Sequence, residues 1–251
     1  MLMSINQRVN FMKQIDTFNP SFFEWLKKAE EKHFWFQIRR KWIIDKIKKF
    51  IPPPAKFLEV GCGTGNVSSF LAKKGYMVTG CEFYPEAIDR AWPGFLIVRG
   101  DANNLPFEDN WFDIVGLFDV IEHFQYDIAP LKEAVRVIRG GGIIVLTVPA
   151  REELWSSFDE MSFHKRRYTK EMLKHIFIDV NLSPLLMEYM FMFLYLPMKY
   201  TRNKDWKNDD PFSISSLVNT LFKGLFDVER FMSKGLPLPI GTSLIAVAQK
   251  N

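Results

Sequence analysis

The chain is predicted to fold as a doubly wound α/β protein with a mostly parallel sheet, and three observations carry that expectation. Between residues 56 and 149, short β-rich runs alternate with runs at helical spacing: "KFLEV", "NVSSFLAKKG", "MVTGCE", "PEAIDRAW", "FLIVRG", "FDIVGLF", "APLKEAVRVIR" and "GIIVLTVP". Parallel strands need crossovers of a dozen or so residues, and this alternation supplies them. The first of these strands opens into "GCGTG", three glycines in five residues, before a helix resumes. Finally, 251 residues with 47% hydrophobic and 25% charged side chains are enough for a large core and argue against extensive disorder.

The elements follow in order. Residues up to about 50 read as a helical cap, because Trp25, Leu26, Ala29, Trp35, Ile38, Trp42 and Ile43 recur at intervals of three and four. Pro52, Pro53 and Pro54 stop it, since proline lacks the amide donor and clashes with the preceding turn. The alternating region then runs to Pro149. Beyond it come a polar loop, a helix near 169–177, a strand near 184–189, an apolar stretch, a helix over 213–232 and a last strand, "TSLIAVAQ". The expected organisation is one domain over 1–251, with a cap at 1–54, a core at 55–150, and a C-terminal part at 151–251 that inserts helices before the last strand.

Composition excludes several functions. A formal charge of +4, with Lys and Arg scattered, lacks the basic stripe of a nucleic-acid binder. It suits an anionic small molecule or a lipid headgroup. Two cysteines, Cys62 and Cys81, supply neither a disulfide framework nor a metal ligand set, so reduced thiols in the cytoplasm and no metal are expected. The segment "MLMSINQRVNFMKQ" lacks the apolar core of a secretory signal. The run from Leu185 to Met198 is interrupted by Glu188 and too short to span a bilayer, which limits any membrane contact to a peripheral one.

In open α/β sheets ligands bind beyond the carboxyl ends of the strands, so the residues after each strand are the candidates. Gly61, Cys62, Gly63, Thr64 and Gly65 follow the first strand, and Asn66 stands where a dinucleotide fingerprint needs its third glycine. An NAD loop therefore does not match. Glu82, after the second strand, is placed to accept both hydroxyls of a ribose. After the third, Asp101 could accept from an adenine amino group while the Ala102 amide donates to the ring; alternatively Asp101 caps the next turn through its side chain.

The ordered set "LEVGCGTGN", Glu82, "GDANNLPF", "FDIVGLFDVIEHF" and "RVIRGGGIIVLTVP" resembles the successive motifs of class I S-adenosylmethionine-dependent methyltransferases, over roughly residues 56–149. The resemblance implies seven strands with the last antiparallel, and S-adenosylmethionine as cofactor, released as S-adenosylhomocysteine. It implies Glu59, Gly61, Cys62, Gly63 and Gly65 around the methionine end, Glu82 on the ribose, Asp101 and Ala102 on the adenine, and Phe83 against its face. Phe118 and Asp119 would lie beside the sulfonium, with His123 on the following helix.

Methyl transfer is direct displacement, so the protein mainly aligns, excludes water and supplies a base for a hydroxyl acceptor. "EKHFWFQIRRKWI" and "WSSFDEMSFHKRRYTKEMLKHI" resemble a bacterial subgroup whose acceptors are usually unassigned, and in that architecture they flank the acceptor pocket. Trp35 and Arg39, with His33 and Arg40 over the cofactor, and Arg166, Arg167 and Tyr168 are the expected acceptor contacts, because arginine forks suit carboxylate or phosphate. His164 is the expected base, with His123 nearby. The expected partner is a small-molecule acceptor, anionic or partly hydrophobic, and not nucleic acid. A cofactor-binding scaffold without turnover is the alternative; acceptor and oligomeric state stay open.

Overall fold

The computed structural model describes residues 20–201 and 212–251; the part of the expected cap before residue 20 lies outside them. Among the described residues two helices come first, α1 (Pro20–Lys32) and α2 (Phe34–Phe50). The expected single helical run is broken at His33. That residue is extended (φ −68°, ψ 132°), and its Nδ1 accepts the Trp35 amide at 3.2 Å, so it caps α2. Ile51 turns extended after α2, ahead of the prolines.

Seven strands follow among the described residues: β1 (Lys56–Val60), β2 (Met77–Glu82), β3 (Leu96–Arg99), β4 (Phe112–Phe118), β5 (Ile138–Pro149), β6 (Leu182–Met190) and β7 (Ser243–Lys250). They form one sheet in the order β3-β2-β1-β4-β5-β7-β6. The first five are parallel, and β7 runs antiparallel to both β5 and β6, as the resemblance implies. The order reverses between β1 and β4, which makes the space beyond their carboxyl ends the switch point.

The connecting helices are α3 (Asn66–Ala72), α4 (Pro85–Ile88), α5 (Ile128–Val137), α6 (Ser157–Met161), α7 (Lys170–Asp179), α8 (Tyr195–Thr201) and α9 (Ser216–Met232). The helix expected over 129–139 ends at Val137. Ile138 instead pairs with Phe112 and begins β5, and β5 advances five residues to Ile143 while β4 advances two to Ile114. The run Gly140, Gly141 and Gly142 lies within that excess, where Gly141 takes φ 73°.

Alternation along the strands divides the core between the sheet's faces. Val115 and Leu117 pack with Leu58, Val60, Leu131, Ile144, Leu146, Tyr168 and Phe177 on one side. Ile114 and Phe118 pack with Ile38, Trp42, Phe57, Phe191 and Phe226 on the other. The second face is covered by α2 and α9, which brings the N-terminal cap over the glycine turn. Among the described residues, no helix is long and apolar enough to cross a membrane.

Candidate cofactor and acceptor site

The loop after β1 is a set of backbone constraints. Gly61 and Cys62 amides donate to the Cys81 carbonyl at 2.8 and 3.2 Å, and the Gly65 amide donates to Cys62 at 2.8 Å. Gly63 has φ 55°, and a Cβ there would meet nothing within 4 Å, so this side of the loop faces open space. Gly65 differs. It has φ 75°, and its Cβ would stand 2.1 Å from Phe95 Cζ, so packing alone demands glycine. Cys62 turns its sulfur inward under Gly80, and burial raises its thiol pKa well above the ordinary value. It offers the cleft only its backbone.

Glu82 is 5% exposed and ties the loop to the end of β2. Its Oε2 accepts the Gly63 amide at 2.7 Å, and its Oε1 accepts those of Phe83 and Tyr84, both at 2.9 Å. Three bonds leave the carboxylate further acceptor capacity toward a ligand. Burial raises its pKa, while the three amides pull it down. Glu59 is buried beneath the loop, takes a bond from the Ser68 hydroxyl, and has its pKa pushed up to about 7 by burial.

Asp101 adopts the turn-capping alternative: its Oδ1 accepts the Asn103 amide at 2.8 Å and Asn103 Nδ2 at 3.1 Å. Ala102 packs partly buried against the core, and Phe83 stands edge-on to Tyr84 at 5.4 Å.

At the end of β4 one expectation is corrected. Phe118 turns its ring into the core, stacked on Phe57 at 6.3 Å, because strand alternation puts it on the face of Ile114, where Gly116 leaves room. The side chain left at this edge is Asp119, in a left-handed conformation (φ 56°). It pairs with the buried guanidinium of Arg39, which also bonds Thr147 Oγ1 at 3.2 Å and lies 4.9 Å from the Trp35 ring. Arg39 thus reaches from α2 to the ends of β4 and β5 as a neutralised pair. Arg40 lies over Phe70 instead, and His33 serves as the cap already described.

Glu122 and His123 sit on a 3₁₀ turn, Ile121–His123, directly after β4 rather than on a regular helix. The His123 and His164 rings meet edge to face at 4.9 Å. Burial, and then the neighbouring His164, lower the His123 pKa to about 3. Glu122 is fully buried, and neither carboxyl oxygen has a hydrogen-bond partner among the described residues. Burial first, then Asp119, raise its pKa well above the ordinary range.

His164 Nδ1 lies 2.8 Å from Asp159 Oδ1. Asp159 also receives the Arg167 fork at 3.0 and 2.9 Å and the Ser156 amide at 3.0 Å. Burial would raise its pKa, but His164 and Arg167 hold it below the ordinary value.

Three expected acceptor contacts are corrected here. Arg167 is 4% exposed, with its remaining nitrogen on the Ala150 carbonyl at 3.1 Å. Tyr168 is fully buried and donates to Asp127 at 2.9 Å, and Arg166 bonds Asp127 at 3.1 Å and the Gln125 carbonyl at 2.7 Å. The physical reason is that Tyr168 pairs with the end of β5, its amide on the Pro149 carbonyl at 2.8 Å, which draws Arg167 and Tyr168 into the protein and leaves the half-buried Arg166 bonded to Asp127. Of "HKRRY", His164 alone joins the polar cluster around Glu122 and His123.

Three residues of the site were missed in the sequence. Glu30 of α1 accepts from the Thr64 hydroxyl and, at 2.7 Å, from Trp92 Nε1, locking the cap onto the glycine loop; nothing local signals it. Asp159 had a signal, the S-x-x-D spacing of a capping box from Ser156, which the structure contains. Glu122 stands beside His123 in the quoted motif, yet only folding reveals its isolation.

The strand order, the antiparallel β7 and the glycine loop at the switch point define a class I methyltransferase fold. The comparisons agree. Residues 58–146 match the family described as "Methyltransferase domain". Ajmaline N-methyltransferase of Rauvolfia serpentina is 27% identical over 193 residues, 68% of this chain and 65% of that one. Demethylmenaquinone methyltransferase of Beutenbergia cavernae is 35% identical over 97 residues, 38% of this chain and 40% of that one. The chain thus spans less than two thirds of either relative. A methyltransferase structure from Thermotoga maritima superposes with TM-score 0.59 at 18% identity, covering 92% of this chain and 98% of that one. Residues 58–146 thus carry a methyltransferase domain within a class I methyltransferase fold, and S-adenosylmethionine is the cofactor such domains use.

Proposed function

We propose that the protein transfers the methyl group of S-adenosylmethionine to a small-molecule acceptor that is at least partly hydrophobic. The observation that carries the reading is the open face of Gly63 beside the carboxylate of Glu82, at the switch point of a methyltransferase sheet. In this reading Glu82 accepts the ribose hydroxyls with its remaining lone pairs, the Gly61–Gly65 backbone meets the methionine end, and the Ala102 amide meets the adenine together with Asp101, whose Oδ1 holds the turn and whose other oxygen is the one turned to the ring. Asp119, held by Arg39, borders the reacting methyl.

The acceptor end is the cluster of Glu122, His123 and His164. A chain of aromatic contacts supports a hydrophobic acceptor: His164 to Phe158 at 6.4 Å, Phe158 to Phe212 at 6.3 Å, Phe212 to Phe36 at 5.3 Å, and Phe36 to Trp35 at 4.9 Å. It links the two segments expected to flank the pocket. The internal pairing of Arg39, Arg166 and Arg167 removes the main support for an anionic acceptor. Both cysteines are free, which fits a reducing, cytoplasmic setting.

Calorimetry with S-adenosylmethionine and S-adenosylhomocysteine tests the cofactor half: absence of heat at millimolar ligand with folded protein ends the reading. Transfer of a labelled methyl to a panel of aromatic and lipid-like acceptors separates an enzyme from a scaffold, which would bind cofactor and label none.

A further inference from the structure

We propose that Glu122, His123 and His164 form a binding site for a divalent cation of the zinc class. The proposal goes beyond the methyl-transfer reading, and the existence of the site does not depend on it. Counting cysteines does not find such a site, because its ligands are imidazoles and a carboxylate contributed by the turn after β4 and the loop between α6 and α7.

Three independent observations converge. Each of the three residues offers one ligand atom, and these atoms all lie within 4.8 Å of one another. Ligands bound at about 2.0–2.2 Å around a tetrahedral ion stand about 3.4 Å apart, so closure onto an ion needs side-chain shifts of about an ångström. Next, Glu122 is fully buried with both carboxyl oxygens lacking a hydrogen-bond partner among the described residues. Native structures rarely leave a buried polar group in that state, and a cation supplies the missing partner.

The third observation is the support behind the ligands. Nδ1 of His164 is held by Asp159 at 2.8 Å, and Asp159 is itself fixed by the Arg167 fork and the Ser156 amide. A carboxylate behind a histidine fixes the tautomer that leaves Nε2 as the ligand atom and makes it more basic, as in many metal sites. Asp159 and Arg167 are thus positioning residues for His164.

Two imidazoles and one carboxylate select zinc and neighbouring first-row cations over magnesium or calcium, which take oxygen sets. Three protein ligands leave a coordination position open, as catalytic zinc sites do. An oxygen donor of the acceptor suits that position, at the end of the site where the methyl-transfer reading puts the acceptor.

The test uses the full chain, stripped with a chelator and titrated calorimetrically with Zn²⁺ alone, with Mg²⁺ as comparison. One Zn²⁺ per chain should bind and Mg²⁺ should not, and Glu122→Gln and His164→Ala should each weaken Zn²⁺ at least tenfold while leaving S-adenosylhomocysteine affinity unchanged. Zn²⁺ affinity unmoved by both substitutions, or no stoichiometric binding, overturns the proposal. Wild-type protein with Co²⁺ gives a readout independent of the variants: intense d–d bands of a four- or five-coordinate ion, abolished by Zn²⁺, are expected, and a spectrum of hexa-aqua Co²⁺ overturns the site. Failure to bind S-adenosylhomocysteine would sink the methyl-transfer reading and leave the cation site standing.

Discussion

The two halves of the sheet's carboxyl edge use their polar side chains differently. In the cofactor half the motif carboxylates bond over short or moderate separations, Glu82 to the amides of Phe83, Tyr84 and Gly63, Asp101 to Asn103 and Glu59 to Ser68, with Glu30 from α1 as the long-range exception. In the acceptor half most reach across the fold, Arg39 to Asp119 and Thr147, and Arg166 and Tyr168 to Asp127, while the His164 ring meets that of His123 edge to face and Asp159 takes His164 and Arg167 within its own loop. Short-range bonding produces a loop whose chemistry can be read as a motif. Long-range bonding produces a site that exists only after folding, where neighbouring arginines can serve the protein rather than a ligand.

This contrast can be broken at several points, beginning with the largest effect. Arg167→Ala removes one partner of a fully buried ion pair, and such losses amount to about 3–5 kcal/mol. Denaturant unfolding should register a loss of that order. Unchanged stability with weakened acceptor binding would return Arg167 to the acceptor list.

Glu59 comes next. Its pKa is about 7 when folded against an ordinary 4.5, so the folded state holds the proton more tightly. The stabilisation this contributes is full below pH 4.5 and is lost as pH rises toward 7, a change of about 3 kcal/mol. Stability measured across that window should flatten in Glu59→Gln by this amount; an unaltered slope would mean that Glu59 titrates normally. Tyr168→Phe should be the mildest. It removes one hydrogen bond to Asp127, worth about 1 kcal/mol, and leaves Arg166 on the same carboxylate. A larger drop in turnover than in stability would restore Tyr168 as an acceptor contact.

The legibility of the chain follows the same division. β1, β2 and β4 begin and end where hydrophobic runs and glycines put them, because buried parallel strands are continuous apolar segments bounded by turns. The start of β5 was hidden: Ile138 continues the helical spacing of α5 and is claimed by strand pairing with Phe112. His33 was hidden too, since a cap inside an apolar helical stripe is decided by local backbone geometry. In the site, Gly63 and Glu82 were legible as a local pattern. Glu30, Glu122 and Asp159 were not legible as site residues, because their partners or their isolation arise from segments distant in sequence or, for Asp159, from His164 and Arg167 meeting it in a folded loop.

The central claim is that the Gly63–Glu82 edge is the cofactor site and the His164 cluster is not part of it. Titrating S-adenosylhomocysteine into wild type, Glu82→Gln and His164→Ala under one condition tests it most directly. The account predicts binding by wild type, a loss of tenfold or more in Glu82→Gln, about 1.5–3 kcal/mol for a hydrogen bond to a charged group, and full affinity in His164→Ala. Equal affinity in wild type and Glu82→Gln, or no binding by folded wild type, would contradict it.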